Sequence, residues 1–181
     1  MYSIIAYLRT LDPIETKPYP ESVIDFPVSV IMRTIPEPAA PMAQTKPGDA
    51  GHGAYIANAA GCVECHTNTE QGRKVGEPFA GGFPFSFPNG SVVRSPNITP
   101  HPTDGIGGWD KATFIARFKQ YADSSYVPTG VDWAAGDFQT VMPWMMYATM
   151  TEEDLGAIYD YLSSVKPVAG RPERWTPATG S

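Results

Sequence analysis

Both cysteines of the 181-residue chain lie in one short stretch, GCVECHTN, at residues 61–68. Two residues separate Cys62 from Cys65, and His66 follows directly. C-x-x-C-H is the spacing of covalent c-type haem attachment, in which each thiol forms a thioether with one vinyl group of the haem. The adjacent imidazole can then bind the iron. The pattern therefore predicts one haem c, attached through Cys62 and Cys65, with His66 as an iron ligand.

Three other interpretations of the cysteine pair fit the sequence less well. A structural zinc site needs four ligands, and only His52 and His101 remain as candidates. A thioredoxin-like pair would follow a strand in a β-α-β pattern, and no such pattern precedes residue 62. A disulfide across two residues would close a loop too short to stabilise the fold much.

The composition predicts one compact domain with many loops. Charged residues make up 18% of the sequence and hydrophobic residues 42%, and there are 17 glycines and 19 prolines. The formal net charge is −6 and no basic run occurs, so nucleic acid is excluded as an expected partner. No stretch approaches the roughly 20 apolar residues of a membrane span, and residues 1–11 lack the features of a secretory signal. We expect any signal or anchor to lie outside this sequence.

The chain is predicted to divide into residues 1–47 and a compact domain at residues 48–181. Eight of the 19 prolines fall between residues 13 and 47, which favours an extended linker over helix.

Residues 1–14 repeat a pattern found near the other end of the chain. Without gaps they align with residues 155–168, with Ile4 over Ile158 and Leu8 over Leu162. We interpret residues 1–11 as the remnant of a closing helix from an earlier unit of the same kind.

Three segments of the compact domain have the features of helices. The first covers residues 49–61, with Asp49 as a candidate N-cap, and Gly53 within it suggests either a close helix crossing or a frayed start. The other two begin after Asp110 and Thr151, which are also candidate N-caps. Their apolar stripes predict buried faces made of Phe114, Ile115, Phe118 and Tyr121, and of Leu155, Ile158, Tyr159 and Leu162.

Methionine is the expected second axial ligand, because His/Met ligation gives a low-spin iron of raised potential. Four of the seven methionines lie between residues 142 and 150. We assign Met142, since Pro143 fixes the backbone of a non-helical stretch there. Met150 is better explained by core packing. The alternatives that stay open are Met145, Met146 and, for a His/His site, His101.

The segment from Asp49 to Val168 resembles a class I cytochrome c domain, with the attachment motif after a helix, a loop-borne methionine and a C-terminal helix. Two stretches, SPNITPHPTDGIGGWDKATF and MPWMMYATMTEEDLGAIYDYL, are similar to domains in the multihaem cytochrome c subunits of membrane-associated alcohol and aldehyde dehydrogenases. Such domains occur in tandem, whereas this sequence has one attachment motif. The resemblance implies an all-α cytochrome c fold, with few short helices and long loops around the haem.

The resemblance also implies roles for residues outside the motif. The backbone carbonyl of Pro78 would accept a hydrogen bond from Nδ1 of His66 and fix the ring. Three further side chains, those of Arg94, Asn97 and Trp109, would donate hydrogen bonds to the haem carboxylates.

With both axial positions filled, the iron has no vacancy for a substrate. The chain is therefore predicted to be an electron carrier or an electron-transfer subunit and not an enzyme. Its expected partners are redox proteins, a dehydrogenase as donor and an acceptor such as a terminal oxidase, in the bacterial periplasm. Attachment to the membrane through a missing segment or a partner subunit stays open. The alternative is a haem enzyme or ligand-binding sensor with an open sixth position.

Overall fold

The computed structural model describes residues 2–15, 17, 23–34, 43–123, 125–132 and 136–178. The chain forms two units, Met1–Ala43 and Gln44–Ser181. Among the described residues, no helix is both long enough and apolar enough to cross a membrane.

The first unit contains two short helices, α1 (Tyr2–Leu8) and α2 (Val28–Ile31). The large apolar side chains described in this unit are exposed, and none of its described residues is buried. Five of the eight prolines that predict a linker, at positions 18, 20, 36, 38 and 41, lie outside the described residues. The assignment of this unit to a helix remnant and an extended linker stays a prediction.

The second unit contains helices α3 (His52–Ala59), α4 (Cys62–Cys65), α5 (Lys111–Lys119), α6 (Trp144–Tyr147) and α7 (Glu152–Ser164). Two of the three predicted N-caps are confirmed. The Asp110 carboxylate accepts a hydrogen bond from the Thr113 amide at 2.7 Å, and the Thr151 hydroxyl accepts one from the Asp154 amide at 3.1 Å. Both side chains satisfy amides that lack a partner within the helix.

The third predicted cap is wrong, because α3 begins at His52 and not at residue 50. Its N-cap is Gly51, with φ of 81°, and the Asp49 carboxylate instead accepts from the Lys46 amide at 3.0 Å. Gly53 has a packing role, since a Cβ at that position would lie 2.0 Å from the Ala157 carbonyl oxygen. Glycine therefore allows α3 and α7 to cross at close range.

The apolar core of the second unit lies where α3, α5 and α7 pack together. The predicted stripes are confirmed on both helices, because their central residues are buried and the flanking ones are partly buried. Full burial of each large apolar side chain stabilises the fold by roughly 1.5–3 kcal/mol. The buried members are Phe114, Phe118, Leu155, Ile158 and Leu162.

Short strands lie in the long loop between α4 and α5, and another follows α7. Strands β1 (Thr69–Glu70) and β2 (Arg73–Lys74) form an antiparallel pair, while β3 (Pro84–Ser86), β4 (Val92–Arg94) and β5 (Trp175–Thr176) form an antiparallel sheet in that order. The prediction of few short helices is confirmed, but the described chain is not purely helical. Extended loop segments that are packed against the domain must pair their peptide groups, and these strands do so.

Candidate functional site

A cleft of about 530 Å³ opens into the core of the second unit. This volume is in the range of small-molecule and cofactor pockets. Its lining is mainly apolar and comes from the α3–α4 turn, residues 93–109, α5, residues 140–150, α7 and residues 171–174. Cys62, Cys65, His66 and Met142 all line it. The structure thus brings together the four residues predicted to hold the haem and its iron.

The two cysteines lie on α4, one helical turn apart. Gly61 has φ of 69° and separates α3 from α4, so the motif begins a new helix. Neither thiol forms a disulfide. Burial raises the pKa of Cys62 to about 11, so this side chain is a neutral thiol at neutral pH.

His66 follows α4 and is held in one orientation. Its side chain is 7% exposed, and Nδ1 lies 2.8 Å from the carbonyl oxygen of Pro96. A carbonyl only accepts, so Nδ1 carries the proton and Nε2 keeps its lone pair. Burial lowers the pKa of His66, an effect that the hydrogen bond to Pro96 opposes. A buried neutral imidazole with a free Nε2 lone pair is the form that binds a metal.

The carbonyl acceptor is Pro96 and not Pro78, which corrects the prediction. Pro78 is exposed and is not among the residues that line the cleft. The segment after Pro78 instead holds the backbone of the motif, because the Gly81 amide donates to the His66 carbonyl at 2.7 Å. A Cβ on Gly81 would lie 2.5 Å from the Pro96 carbonyl carbon, so glycine lets this segment pass close behind Pro96.

Methionines differ in their position relative to the cleft. Met142 is partly buried, lines the cleft and packs against the apolar core. Met145 and Met146 are 57% and 74% exposed, and neither lines the cleft. Met150 lines it as well and packs against the core. Among the described methionines, Met142 and Met150 are those that share a cleft with His66.

His101, the candidate for a His/His site, does not line this cleft. Its Nδ1 accepts a hydrogen bond from the Asp104 amide at 3.1 Å, inside a turn. It is not among the described residues that line the cleft.

Comparison with known proteins gives the family. The family model for cytochrome c matches residues 50–166, which is well over half of the chain. The chain belongs to the cytochrome c family. Membership implies a covalently bound c-type haem and a role in electron transfer. The motif at Cys62, Cys65 and His66 lies inside the matched region.

This cytochrome c is similar to cytochrome subunits of several dehydrogenases. It is 36% identical over 118 residues to the gluconate 2-dehydrogenase cytochrome c subunit of Pantoea cypripedii, and 36% identical over 132 residues to the alcohol dehydrogenase (quinone) cytochrome c subunit of Gluconacetobacter polyoxogenes. It is 34% identical over 117 residues to the fructose dehydrogenase cytochrome subunit of Gluconobacter japonicus. The matches cover 65%, 71% and 64% of this chain but 23%, 25% and 21% of those relatives. The predicted resemblance to such subunits is confirmed, and the chain spans at most about a quarter of their length.

Asn97 lines the cleft, but its side-chain amide does not have the donor role that was predicted for it. It is 4% exposed, and its Nδ2 group donates to the carbonyls of Val168 at 2.8 Å and Gly170 at 3.0 Å. Its Oδ1 accepts from the amide and the hydroxyl of Thr99 at 2.9 and 2.7 Å. Both amide hydrogens are in use, so none is left for a haem carboxylate. Asn97 instead joins the loop after β4 to the C-terminal segment.

Arg94 and Trp109 line the cleft, as a role at its edge requires. The Arg94 Nη1 atom donates to the Thr176 hydroxyl at 2.8 Å, which leaves other guanidinium hydrogens free for a further acceptor. Trp109 is exposed, and its carbonyl accepts from the Tyr159 hydroxyl at 2.7 Å.

Sequence reasoning missed three arginines that also line the cleft, Arg117, Arg171 and Arg174. The signal for two of them was the stretch GRPERW after α7, which holds two arginines beside proline and tryptophan. The signal for Arg117 was its place in the last turn of α5, beside the apolar stripe. With Arg94 they give the cleft four arginines, although the whole chain has a net charge of −6.

The residues present fit a c-type haem. The cleft offers apolar walls for the ring, two unpaired thiols on one helical turn, and a buried imidazole whose tautomer is fixed. Arginines at the same cleft can compensate carboxylates.

Proposed function

We propose that this chain binds one haem through thioethers to Cys62 and Cys65, with Nε2 of His66 and the thioether of Met142 as the axial ligands. The observation that carries the proposal is that Met142 and His66 line one apolar cleft, with Nδ1 of His66 held by the Pro96 carbonyl at 2.8 Å. When bound, the haem supplies reversible one-electron exchange.

The protein residues around the cleft would tune that exchange. The apolar lining excludes water and favours the less charged ferrous state, and a thioether ligand raises the potential further. The Pro96 hydrogen bond keeps the His66 ring from rotating and sets its basicity.

The haem carboxylates would be compensated at the side of the cleft that carries Arg94 and Trp109. Arg171 and Arg174 line the same cleft and extend this set. Charge-assisted hydrogen bonds from guanidinium groups are the strongest available partners for a partly buried carboxylate.

The chain would relay single electrons between a periplasmic dehydrogenase and an acceptor such as a terminal oxidase. Support comes from the names of the relatives, which are cytochrome subunits of gluconate, alcohol and fructose dehydrogenases. The periplasm is the expected location, with membrane association through another segment or a partner subunit.

Residues 1–47 would be a linker that starts with the closing helix of a preceding unit. Ile4 and Leu8 on α1 are 63% and 56% exposed, whereas the aligned Ile158 and Leu162 on α7 are 4% and 1% exposed. The same apolar pattern is thus buried on α7 and exposed on α1. This difference supports the proposal that α1 packs against a partner that is not part of this sequence.

The ligand assignment is tested by replacing methionines one at a time in the purified holoprotein. Wild type should show the weak near-infrared sulfur-to-iron band of the ferric state, and Met142→Ala should lose it. Met150→Leu, at the other cleft methionine, and Met145→Leu, at an exposed one, should retain it. A band that survives Met142→Ala would reject this ligand. A high-spin wild type that binds carbon monoxide would favour the alternative, a haem enzyme or sensor with an open sixth position.

A further inference from the structure

Met142 is joined to α6 by a tight turn. Pro143 has φ of −81° and ψ of 64°, and the Trp144 amide donates to the Met142 carbonyl at 2.8 Å. This is the geometry of an inverse γ-turn, and the proline ring restricts its φ angle. The backbone of Met142 is therefore coupled directly to the position of Trp144.

The indole ring of Trp144 is held by the C-terminal end of α5. It stacks on Tyr121, with centroids 5.3 Å apart and an angle of 21°, and packs against Phe118 at 5.2 Å. The guanidinium carbon of Arg117 lies 4.8 Å from the centre of the Trp144 ring and 5.8 Å from that of Tyr121. A cation over an indole face is attracted by the negative charge of the π-system.

The same end of α5 also holds the other end of this segment. Lys119 Nζ donates to the carbonyl of Ala148 at 3.1 Å and to that of Met150. Before Met142, in contrast, the described residues between 121 and 141 contain no helix or strand. Arg117 and its aromatic neighbours thus hold Trp144, which lies two residues after Met142.

We propose that Arg117 is a positioning residue for Met142, acting through the Trp144 ring and the turn at Pro143. The proposal rests on Met142 being an axial ligand. Because Arg117 is exposed, its loss removes the contact with Trp144 without leaving a cavity in the core. Weakening this contact raises the fraction of molecules in which the Met142 thioether has left the iron.

Equilibrium binding of free imidazole to the ferric holoprotein measures that fraction. Imidazole can take the sixth position only after Met142 leaves, so its apparent affinity is proportional to the population of the detached state. Arg117→Gln should raise the affinity about two- to fivefold, the size expected for loss of an exposed cation–π contact. Arg117→Lys should give a smaller increase, because an ammonium keeps the charge but not the planar stacking. Trp144→Phe should also raise the imidazole affinity, because it replaces the indole ring that Arg117 contacts.

Two control variants separate positioning from other effects. Arg73→Gln removes an exposed arginine on β2, away from the cleft, and should leave imidazole affinity unchanged. Ala57→Gly weakens the buried face of α3, lowers stability and should also leave the affinity unchanged.

The outcomes distinguish this proposal from the ligand assignment. If wild type has the near-infrared band but Arg117→Gln binds imidazole no better than Arg73→Gln, the role of Arg117 is rejected. If Ala57→Gly raises the affinity as much as Arg117→Gln does, the effect is general destabilisation, and the role is again rejected. If wild type lacks the band and binds imidazole as tightly as every variant, the ligand assignment itself has failed.

Discussion

Two walls of the cleft hold the proposed iron ligands, and they are secured in different ways. The attachment wall, residues 61–66, is a helical turn that ends in His66. The ring of His66 is hydrogen-bonded to the Pro96 carbonyl, and its own carbonyl is hydrogen-bonded to the Gly81 amide. The methionine wall, residues 140–150, follows a long stretch without helix or strand among the described residues. It depends on side-chain contacts from α5 and on one hydrogen bond from Tyr147 to the Ala60 carbonyl.

The two walls therefore differ in what positions their side chains: the local backbone on one wall and contacts with distant residues on the other. On the attachment wall, three functional side chains lie within five consecutive residues, so their spacing is set by one turn of backbone. On the methionine wall, residues distant in the sequence contact Trp144 and Tyr147, which follow Met142. We therefore expect substitutions at the attachment wall to abolish haem attachment or lower stability. Substitutions at the methionine wall should instead change how easily an added ligand replaces Met142 on the iron.

The largest effect should come from Cys62→Ser with Cys65→Ser. Serine cannot form the thioethers, so covalent haem should be lost completely. Intact mass and haem staining on a denaturing gel would measure this. Glu64→Gln keeps the motif spacing and removes only an exposed pair with Lys74 at 3.4 Å, so it should retain the haem. Covalent haem in the double serine variant would show that attachment lies elsewhere.

The frame behind the attachment wall can be tested at two glycines. Gly53→Ala places a Cβ 2.0 Å from the Ala157 carbonyl oxygen, so α3 and α7 must separate, and we expect a loss of about 2–3 kcal/mol in the free energy of unfolding. Gly156→Ala is the matched control, because its Cβ would meet Lys111 at an ordinary 3.5 Å and alanine favours helix by up to about 1 kcal/mol. Urea unfolding of both variants gives the comparison, and equal stabilities would refute the close crossing.

The smallest effect should come from the hydrogen bond that joins the methionine wall to Ala60, directly before the attachment wall. The Tyr147 hydroxyl donates to the Ala60 carbonyl at 2.6 Å, and burial raises the pKa of Tyr147, so the hydroxyl stays protonated. Tyr147→Phe should cost about 1 kcal/mol. It should also raise imidazole affinity up to about fivefold, if the bond holds the methionine wall against the attachment wall. A stability loss with no change in imidazole affinity would show that the bond does not restrain Met142.

The sequence was most informative where the determinants are local. The C-x-x-C-H spacing identified the attachment wall, and the caps at Asp110 and Thr151 marked two helix starts, because each signal is complete within a few residues. The apolar stripes on α5 and α7 identified the core for the same reason.

Prediction failed where several loop residues could have served and tertiary packing chose among them. Pro78 and Pro96 both offer a carbonyl, and only the path of the loop past Gly81 brings Pro96 to His66. The family resemblance implied that Asn97 would donate to a haem carboxylate, but its Nδ2 group donates to the carbonyls of Val168 and Gly170, about 70 positions away in the sequence. Such pairings leave no periodic trace in the sequence.

The C-terminal segment that Asn97 anchors also determines how the molecule can be shortened. Strand β5 covers one side of β4, with Trp175 opposite Val93. Ending the chain before residue 168 would leave that side of β4 with unpaired peptide groups, which is a template for strand addition between molecules. Truncated versions would thus tend to self-associate, and designs that need a short haem module should keep the chain through Thr176.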